Sequence, residues 1–183
     1  NIGDAFNRDE LHRRKVTHVT TAFLGVAPQY PGASLCRFFF LSGVDCCLSD
    51  DFKYLYLPVM DNTEQDMRGY LHAGVEFVRA ARKCGGCVLV HCMAGRSRSA
   101  TLVVAYLMAE LGMTLDEALS FVRARRPIVQ PNPAFMQQLR LYEEDLVAKR
   151  HKDALFAEEQ ALLLRRREQL LSETDNQTEH EAL

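Results

Sequence analysis

The amino-acid sequence predicts a single α/β domain, a twisted and mostly parallel sheet flanked by helices, with its site at the C-terminal end of a strand. Three observations predict it. The apolar run Cys87-Val88-Leu89-Val90 passes through a compact polar loop directly into the longer run 100–108, which reads as strand, tight loop and helix. Other short β-branched or aromatic runs alternate with helical stripes along residues 1–148. A chain of 183 residues is long enough for one domain with a real core.

In chain order, residues 4–14 form a short polar helix with Asn7 as N-cap and Glu10 three positions on. Residues 15–21 alternate and are rich in Val and Thr, a strand pattern. The segment 22–50 breaks the alternation: it carries Phe38-Phe39-Phe40-Leu41, adjacent Cys46 and Cys47, and the turn formers Pro28, Pro31, Gly32 and Gly43. Residues 52–59 are a strand ending in the turn Met60-Asp61-Asn62. Residues 65–83 carry a helical stripe of Met67, Leu71, Val75, Val78 and Ala81, and Gly85-Gly86 ends that helix. The central strand and its loop follow, then a helix to about Leu111 that Gly112 stops.

Thr114 and Glu117 make a capping box for the next helix, whose apolar face is Ala118, Phe121 and Val122 and which Pro127 ends. Arg123, Arg125 and Arg126 have two readings, a lining of the substrate cleft and, the favoured one, a solvated face of this helix. Asn132 at the N-cap and Pro133 at the first helical position start the last helix of the domain. Residues 149–171, with Leu162-Leu163-Leu164 beside Arg165-Arg166-Arg167, read as a solvated helical extension. Residues 172–183 are polar and acidic and are predicted to be disordered.

The loop His91-Cys92-Met93-Ala94-Gly95-Arg96-Ser97-Arg98-Ser99 carries the chemistry. A loop between a strand and a helix N-terminus offers backbone N–H groups without carbonyl partners, and the helix dipole adds partial positive charge. A thiolate placed there beside a guanidinium has its pKa lowered from about 8.5 into the range of roughly 3.5–7.5. Cys92 is therefore expected to be ionised and nucleophilic at neutral pH. Arg98 offers a planar fork for two phosphate oxygens, and the amides of Met93, Ala94, Gly95, Arg96, Ser97 and Arg98 form a nest for the rest. Such a site suits attack on phosphorus.

Cys-x5-Arg-Ser, preceded by His and followed by a helix, resembles the signature loop of the cysteine-based protein tyrosine phosphatases. The string His91 to Ser99 followed by Ala100-Thr101 is most similar to the dual-specificity branch. The resemblance implies a phosphocysteine intermediate on Cys92, phosphoryl binding by Arg98, stabilisation of the departing thiolate by the Ser99 hydroxyl, and a thiol pKa lowered from behind the loop by His91. The family places its general acid on a loop about 30 residues before the nucleophile. Leu57-Pro58-Val59-Met60-Asp61-Asn62 resembles that loop, so Asp61 is the expected acid and Asp66 its rival. The pattern Arg-Arg-Pro followed by Pro-Asn-x-x-Phe is shared as well, and there the Asn side chain braces the catalytic loop. This gives Asn132 a supporting role beside the helix cap that equally accounts for it.

Two departures stand out against the resemblance. Of an earlier edge strand only Ile2-Gly3 remains, and some 20–25 extra residues intervene within 22–50, beyond the usual connection length. That segment is either an insertion forming a hairpin or lid, or an alternatively spliced or mistranslated stretch that packs poorly. The exposed aromatic run favours the second reading. The resemblance implies a protein phosphatase acting on phosphotyrosine and phosphoserine/threonine, with signalling kinases among its substrates and no cofactor or metal. The alternatives are a phosphoprotein-binding module without catalysis, and a phosphoinositide or RNA 5′-phosphatase using the same chemistry. Uncharged Met93, Ala94 and Ser97 count against the phosphoinositide reading, and Arg96 counts for it.

Composition bounds the partners. Hydrophobic residues are 48% and charged residues 25%, ordinary for a globular protein, and a net charge of −2 gives no basic field for nucleic acid or membrane. No apolar run reaches the roughly 18 residues of a membrane span. The N-terminus is unlike a signal peptide, and a chain starting at Asn1 reads as a fragment or processed form. Cys84-Gly85-Gly86-Cys87 lacks a second pair or His partners for zinc, so those thiols read as structural. A catalytic thiolate needs a reducing compartment, which predicts the cytoplasm and also the nucleus. The sequence leaves the oligomeric state open.

Overall fold

A computed structural model of the chain describes residues 7–24, 35–36 and 52–181, with backbone alone at 35–36 and from residue 170 onward. Ile2-Gly3, the Phe38-Phe39-Phe40 run and Cys46-Cys47 lie outside the described residues, as does most of the segment 22–50 with the two readings attached to it.

Helix α1, Arg8–Arg13, starts where the Asn7 carboxamide oxygen accepts the Glu10 N–H at 3.0 Å, one of the orphan donors of a first turn. Its buried Leu11 joins Val16, Val19, Phe52 and Tyr54 in an apolar cluster, with Leu89 packed against it. Four strands follow: β1 His18–Ala22, β2 Leu35–Cys36, β3 Lys53–Leu57 and β4 Val88–His91. They form one sheet in the order β2-β3-β1-β4, with every pairing parallel. Val19 pairs with Tyr54 on one side and Leu89 on the other, so these three share the face covered by α1. The next residue back, His18, turns to the opposite face and meets Phe77 edge-on at 5.4 Å.

That opposite face carries α2, Arg68–Lys83, and α3, Arg98–Leu111. Met67, Leu71, Val75 and Ala81 of the predicted stripe are buried, whereas Val78 is half-buried. Helix α2 starts at Arg68 rather than Gln65 because neighbouring groups take over its first donors: the Asp66 carboxylate accepts the Arg68 N–H, and the Gln138 side chain accepts the Met67 N–H at 2.6 Å. Gly74 allows α2 and α3 to approach closely, since a Cβ there would lie 2.9 Å from Leu102 Cδ2. Gly112, at φ 70°, ends α3 as predicted. The Thr114–Glu117 capping box then opens α4, Leu115–Arg125.

Among the described residues, the strand that carries the cysteine loop has a neighbour on one side. β4 lies at one end of the sheet and pairs with β1 alone among the described residues. Val88, Leu89 and Val90 are half-buried, and His91 at the end of the strand is buried. An apolar run reports that a strand is covered; it carries no information on which strands lie beside it.

Helix α5, Pro133–Glu181, belongs to two compact units, Asn1–Glu143 and Glu144–Leu183. In the first, its Phe135 and Leu139 are fully buried. In the second, every residue from 151 to 169 is exposed, including Leu155, Phe156, Leu162, Leu163 and Leu164. The helix continues to Glu181, through a stretch where composition predicted disorder. Helical hydrogen bonds are made within a turn and need no burial partner, so composition alone does not forbid them.

Candidate active site

The predicted loop leaves the C-terminal end of β4 and enters α3 at Arg98. His91 and Cys92 are buried, Met93 is exposed, and Ser97, Arg98 and Ser99 are buried as the chain turns into the helix. Gly95 sits at φ 68°, in the left-handed region that the tight loop requires and that side chains disfavour. The Cys92 sulfur lies 3.2 Å from the Ser99 hydroxyl. Burial opposes ionisation of this thiol. The Ser99 hydroxyl and N–H, the Gly95 N–H and the Arg98 charge outweigh it and hold the pKa below that of an ordinary thiol.

Arg98 is 8% exposed. Its Nη1 donates to the Val59 carbonyl at 3.3 Å, its Nε lies 3.5 Å from Asp61 Oδ2, and its guanidinium stands 4.9 Å over the Phe23 ring. Phe23 follows β1, and its N–H donates to the Leu57 carbonyl, so the sheet fixes the ring beneath the arginine.

Asp61 is drawn to the loop from the turn after β3. Its Oδ1 accepts the Ser97 hydroxyl at 2.7 Å and the Asn132 amide Nδ2 at 3.0 Å. Asp66 is directed away: its Oδ1 accepts the Arg68 N–H at the start of α2, and it is exposed. Asn132 acts both ways at once. Its Oδ1 accepts the Phe135 N–H as a helix cap, its Nδ2 reaches Asp61 and the Asn62 carbonyl, and its N–H donates to the Ser97 hydroxyl at 3.2 Å. Cys92, Arg98, Asp61, Arg96 and Asn132 thereby border one cavity of about 350 Å³. Of the remaining loop residues, Arg96 turns to the Gln130 side chain, and the Arg96 carbonyl accepts the Gln130 N–H at 2.9 Å.

Four contacts to this site go beyond the favoured reading of the sequence pattern. Thr21 Oγ1 lies 2.8 Å from His91 Nε2 and orients the ring behind the loop. Phe23 lies under Arg98. Gln138 ties the acid loop to α5 by accepting the Met67 N–H and donating to the Gln65 carbonyl at 2.9 Å. Arg126, read from sequence as part of a solvated face, instead donates to the Gly95 and Ala94 carbonyls, each at 3.0 Å. Arg123 likewise bonds the Val129 carbonyl at 3.1 Å. Only Arg125, which stacks on exposed Phe121, keeps to the helix surface.

A buried cysteine at a strand end, its thiol pKa lowered, with an arginine at the following helix start and a carboxylate brought across from a neighbouring loop, defines a cysteine-based phosphatase of the protein tyrosine phosphatase superfamily. Comparison with known proteins places it further. Residues 40–145 match the family described as dual specificity phosphatase, catalytic domain, and the chain belongs to that family. Dual specificity protein phosphatase 1B of Arabidopsis thaliana is 38% identical over 145 residues, which are 79% of this chain and 76% of that protein. Dual specificity protein phosphatase 1 of the same plant is 36% identical over 145 residues, 79% of this chain and 64% of that protein, just under two thirds of its length. Among solved structures, human DUSP28 superposes with a TM-score of 0.66 at 33% identity, over 79% of this chain and 89% of that one. The protein is thus a cysteine-dependent protein phosphatase of the dual-specificity type, with phosphoproteins as its substrate class.

Proposed function

We propose that the protein removes phosphate from both phosphotyrosine and phosphoserine/threonine through a phosphocysteine on Cys92. The observation that carries this reading is the convergence of Cys92 and Arg98, from the loop that runs from β4 into α3, with Asp61, from the turn after β3, on one cavity. In the first step the Cys92 thiolate attacks phosphorus, an S–P bond forms, the ester P–O bond breaks, and the Asp61 carboxylic acid gives its proton to the departing oxygen. Arg98 and the amides of Met93 to Arg98 hold the equatorial oxygens. In the second step water attacks phosphorus, the Asp61 carboxylate takes the water proton, and the S–P bond breaks. The Ser99 hydroxyl stabilises the released thiolate from 3.2 Å. His91, buried behind the loop and oriented by Thr21, supports the thiolate, and Asn132 holds Asp61 against the loop.

The finer assignments follow from this reading. Signalling kinases, which carry phosphotyrosine and phosphothreonine on exposed loops, are the proposed substrates, and the reducing cytoplasm and nucleus suit the thiolate. The test is hydrolysis of para-nitrophenyl phosphate by the wild type and Cys92→Ser, followed by phosphotyrosine and phosphothreonine peptides. Vanadate-sensitive turnover that vanishes in the variant and extends to both peptide classes is expected. A folded wild-type protein that binds phosphopeptides without turning them over would leave only a binding module.

A further inference from the structure

We propose that Arg126 is a positioning residue of the catalytic loop: from the loop's outer side its guanidinium sets the Ala94 and Gly95 peptides so that the N–H groups of Gly95 and Arg96 face the Cys92 sulfur and the bound phosphoryl group. The proposal rests on the catalytic reading of this loop and adds a residue to it from the far end of α4.

The geometry is a fork gripping two consecutive carbonyls. Arg126 Nε donates to the Gly95 oxygen and Nη2 to the Ala94 oxygen, each at 3.0 Å. These two donors lie along one edge of a rigid plane, an arrangement a lysine ammonium cannot reproduce. In a planar trans peptide the carbonyl and the N–H point in opposite directions. Drawing the Ala94 oxygen outward therefore turns the Gly95 N–H inward, and drawing the Gly95 oxygen outward does the same for Arg96. The Gly95 N–H is also among the groups that lower the Cys92 thiol pKa, so the peptide gripped by Arg126 is one that serves the thiolate. The guanidinium charge also polarises both peptides and increases the partial positive charge on the inward hydrogens.

Two further observations fit. Gly95 lies at φ 68°, and a Cβ there would stand 2.9 Å from Arg126 Nη2, so the loop presents a bare backbone where the arginine arrives. Arg126 is also itself anchored. Its N–H donates to the Val122 carbonyl at the end of α4, and its own carbonyl accepts the Val129 N–H. Among the described residues the guanidinium has no carboxylate partner, so its charge is committed to the loop.

The test uses the full chain with Arg126→Met and Arg126→Lys, and Arg125→Met as the control that bonds only its own helix. Cys92 alkylation is followed against pH by peptide mass spectrometry, which separates it from exposed Cys84 and Cys87. Vanadate protection of Cys92 and the kcat and KM for para-nitrophenyl phosphate are measured beside it. Arg126→Met is expected to move the alkylation profile to higher pH and to weaken vanadate binding about tenfold. That is less than the roughly 10²–10³-fold cost of deleting a direct oxyanion donor, because the other amides remain. Arg126→Lys is expected to recover only part of both, and Arg125→Met to match wild type. A folded Arg126→Met with wild-type profile and vanadate affinity overturns the proposal, as does complete recovery in Arg126→Lys. If Arg126→Met does not fold, Arg126→Lys decides alone by the same criterion. Failure of the wild type to turn over phosphate would sink the catalytic reading, while the alkylation profile would still decide on Arg126.

Discussion

Replacing Asp61 by Asn removes proton donation while keeping the hydrogen bonds this side chain accepts. Asp61 accepts two hydrogen bonds at Oδ1, from Ser97 and Asn132, and the carboxamide oxygen of Asn can accept both. The charge is lost, and with it the 3.5 Å pairing to Arg98. Asp61 is about one-third exposed, so that pairing is screened and contributes on the order of 1 kcal/mol or less. Thermal unfolding should shift by only a few degrees. General acid catalysis contributes roughly 10²–10⁴-fold, which is about 2.7–5.4 kcal/mol of barrier, several times the structural effect. The assay is kcat/KM on two substrates, an alkyl phosphate such as a phosphothreonine peptide and an aryl ester whose phenolate leaves without help. The loss should approach the full factor on the peptide and shrink on the activated ester, while Asp66→Asn behaves as wild type on both. An equal loss on the two substrates, or the larger loss in Asp66→Asn, would refute the assignment of Asp61 as proton donor.

Other outcomes follow from the same geometry. Ser99→Ala removes the hydroxyl 3.2 Å from the sulfur, so a pre-steady-state burst followed by slower turnover should appear in stopped-flow, with Cys92 alkylation moved to higher pH. Gly95→Ala places a Cβ at φ 68° and 2.9 Å from Arg126 Nη2, and chemical denaturation should show a loss of about 1–3 kcal/mol together with falling activity. In the wild type, iodoacetamide should modify Cys92 half-maximally below the ordinary thiol value near 8.5. His18 is buried, and burial followed by the Lys53 charge lowers its pKa beneath 6.5, so the unfolded chain binds the proton more readily than the folded one. Its contribution to stability is present above pH 6.5 and is lost as pH falls through the lowered folded value; His18→Gln should flatten the decline below pH 6.5 in a denaturation series.

Features written into adjacent residues were legible without a structure. The cysteine loop is one continuous stretch whose strand, turn and helix N-terminus are neighbours along the chain, and an anion site at a helix start follows from local backbone geometry. The caps at Asn7 and Thr114 and the stop at Gly112 are equally local, and the structure has all three. The start of α2 is a partial case, because the donor groups of its first turn are taken by Asp66 nearby and by Gln138 on α5. Asp61 became legible through its distance from the cysteine in a family pattern, since alternation and composition do not separate it from Asp66.

Tertiary structure alone decided which distant groups complete the site. Thr21, Phe23, Arg126 and Gln138 come from the ends of β1 and α4 and from α5, and in each of these stretches the sequence has a bland reading as strand, loop or solvated helix. The same holds for the position of β4 at the end of the described sheet. Periodicity fixes which way a side chain points relative to its own element. It does not fix which elements lie side by side, because that order is set by the packing of whole layers, and a hydrogen bond between residues dozens of positions apart exists only once that packing has placed its donor and acceptor within about 3 Å.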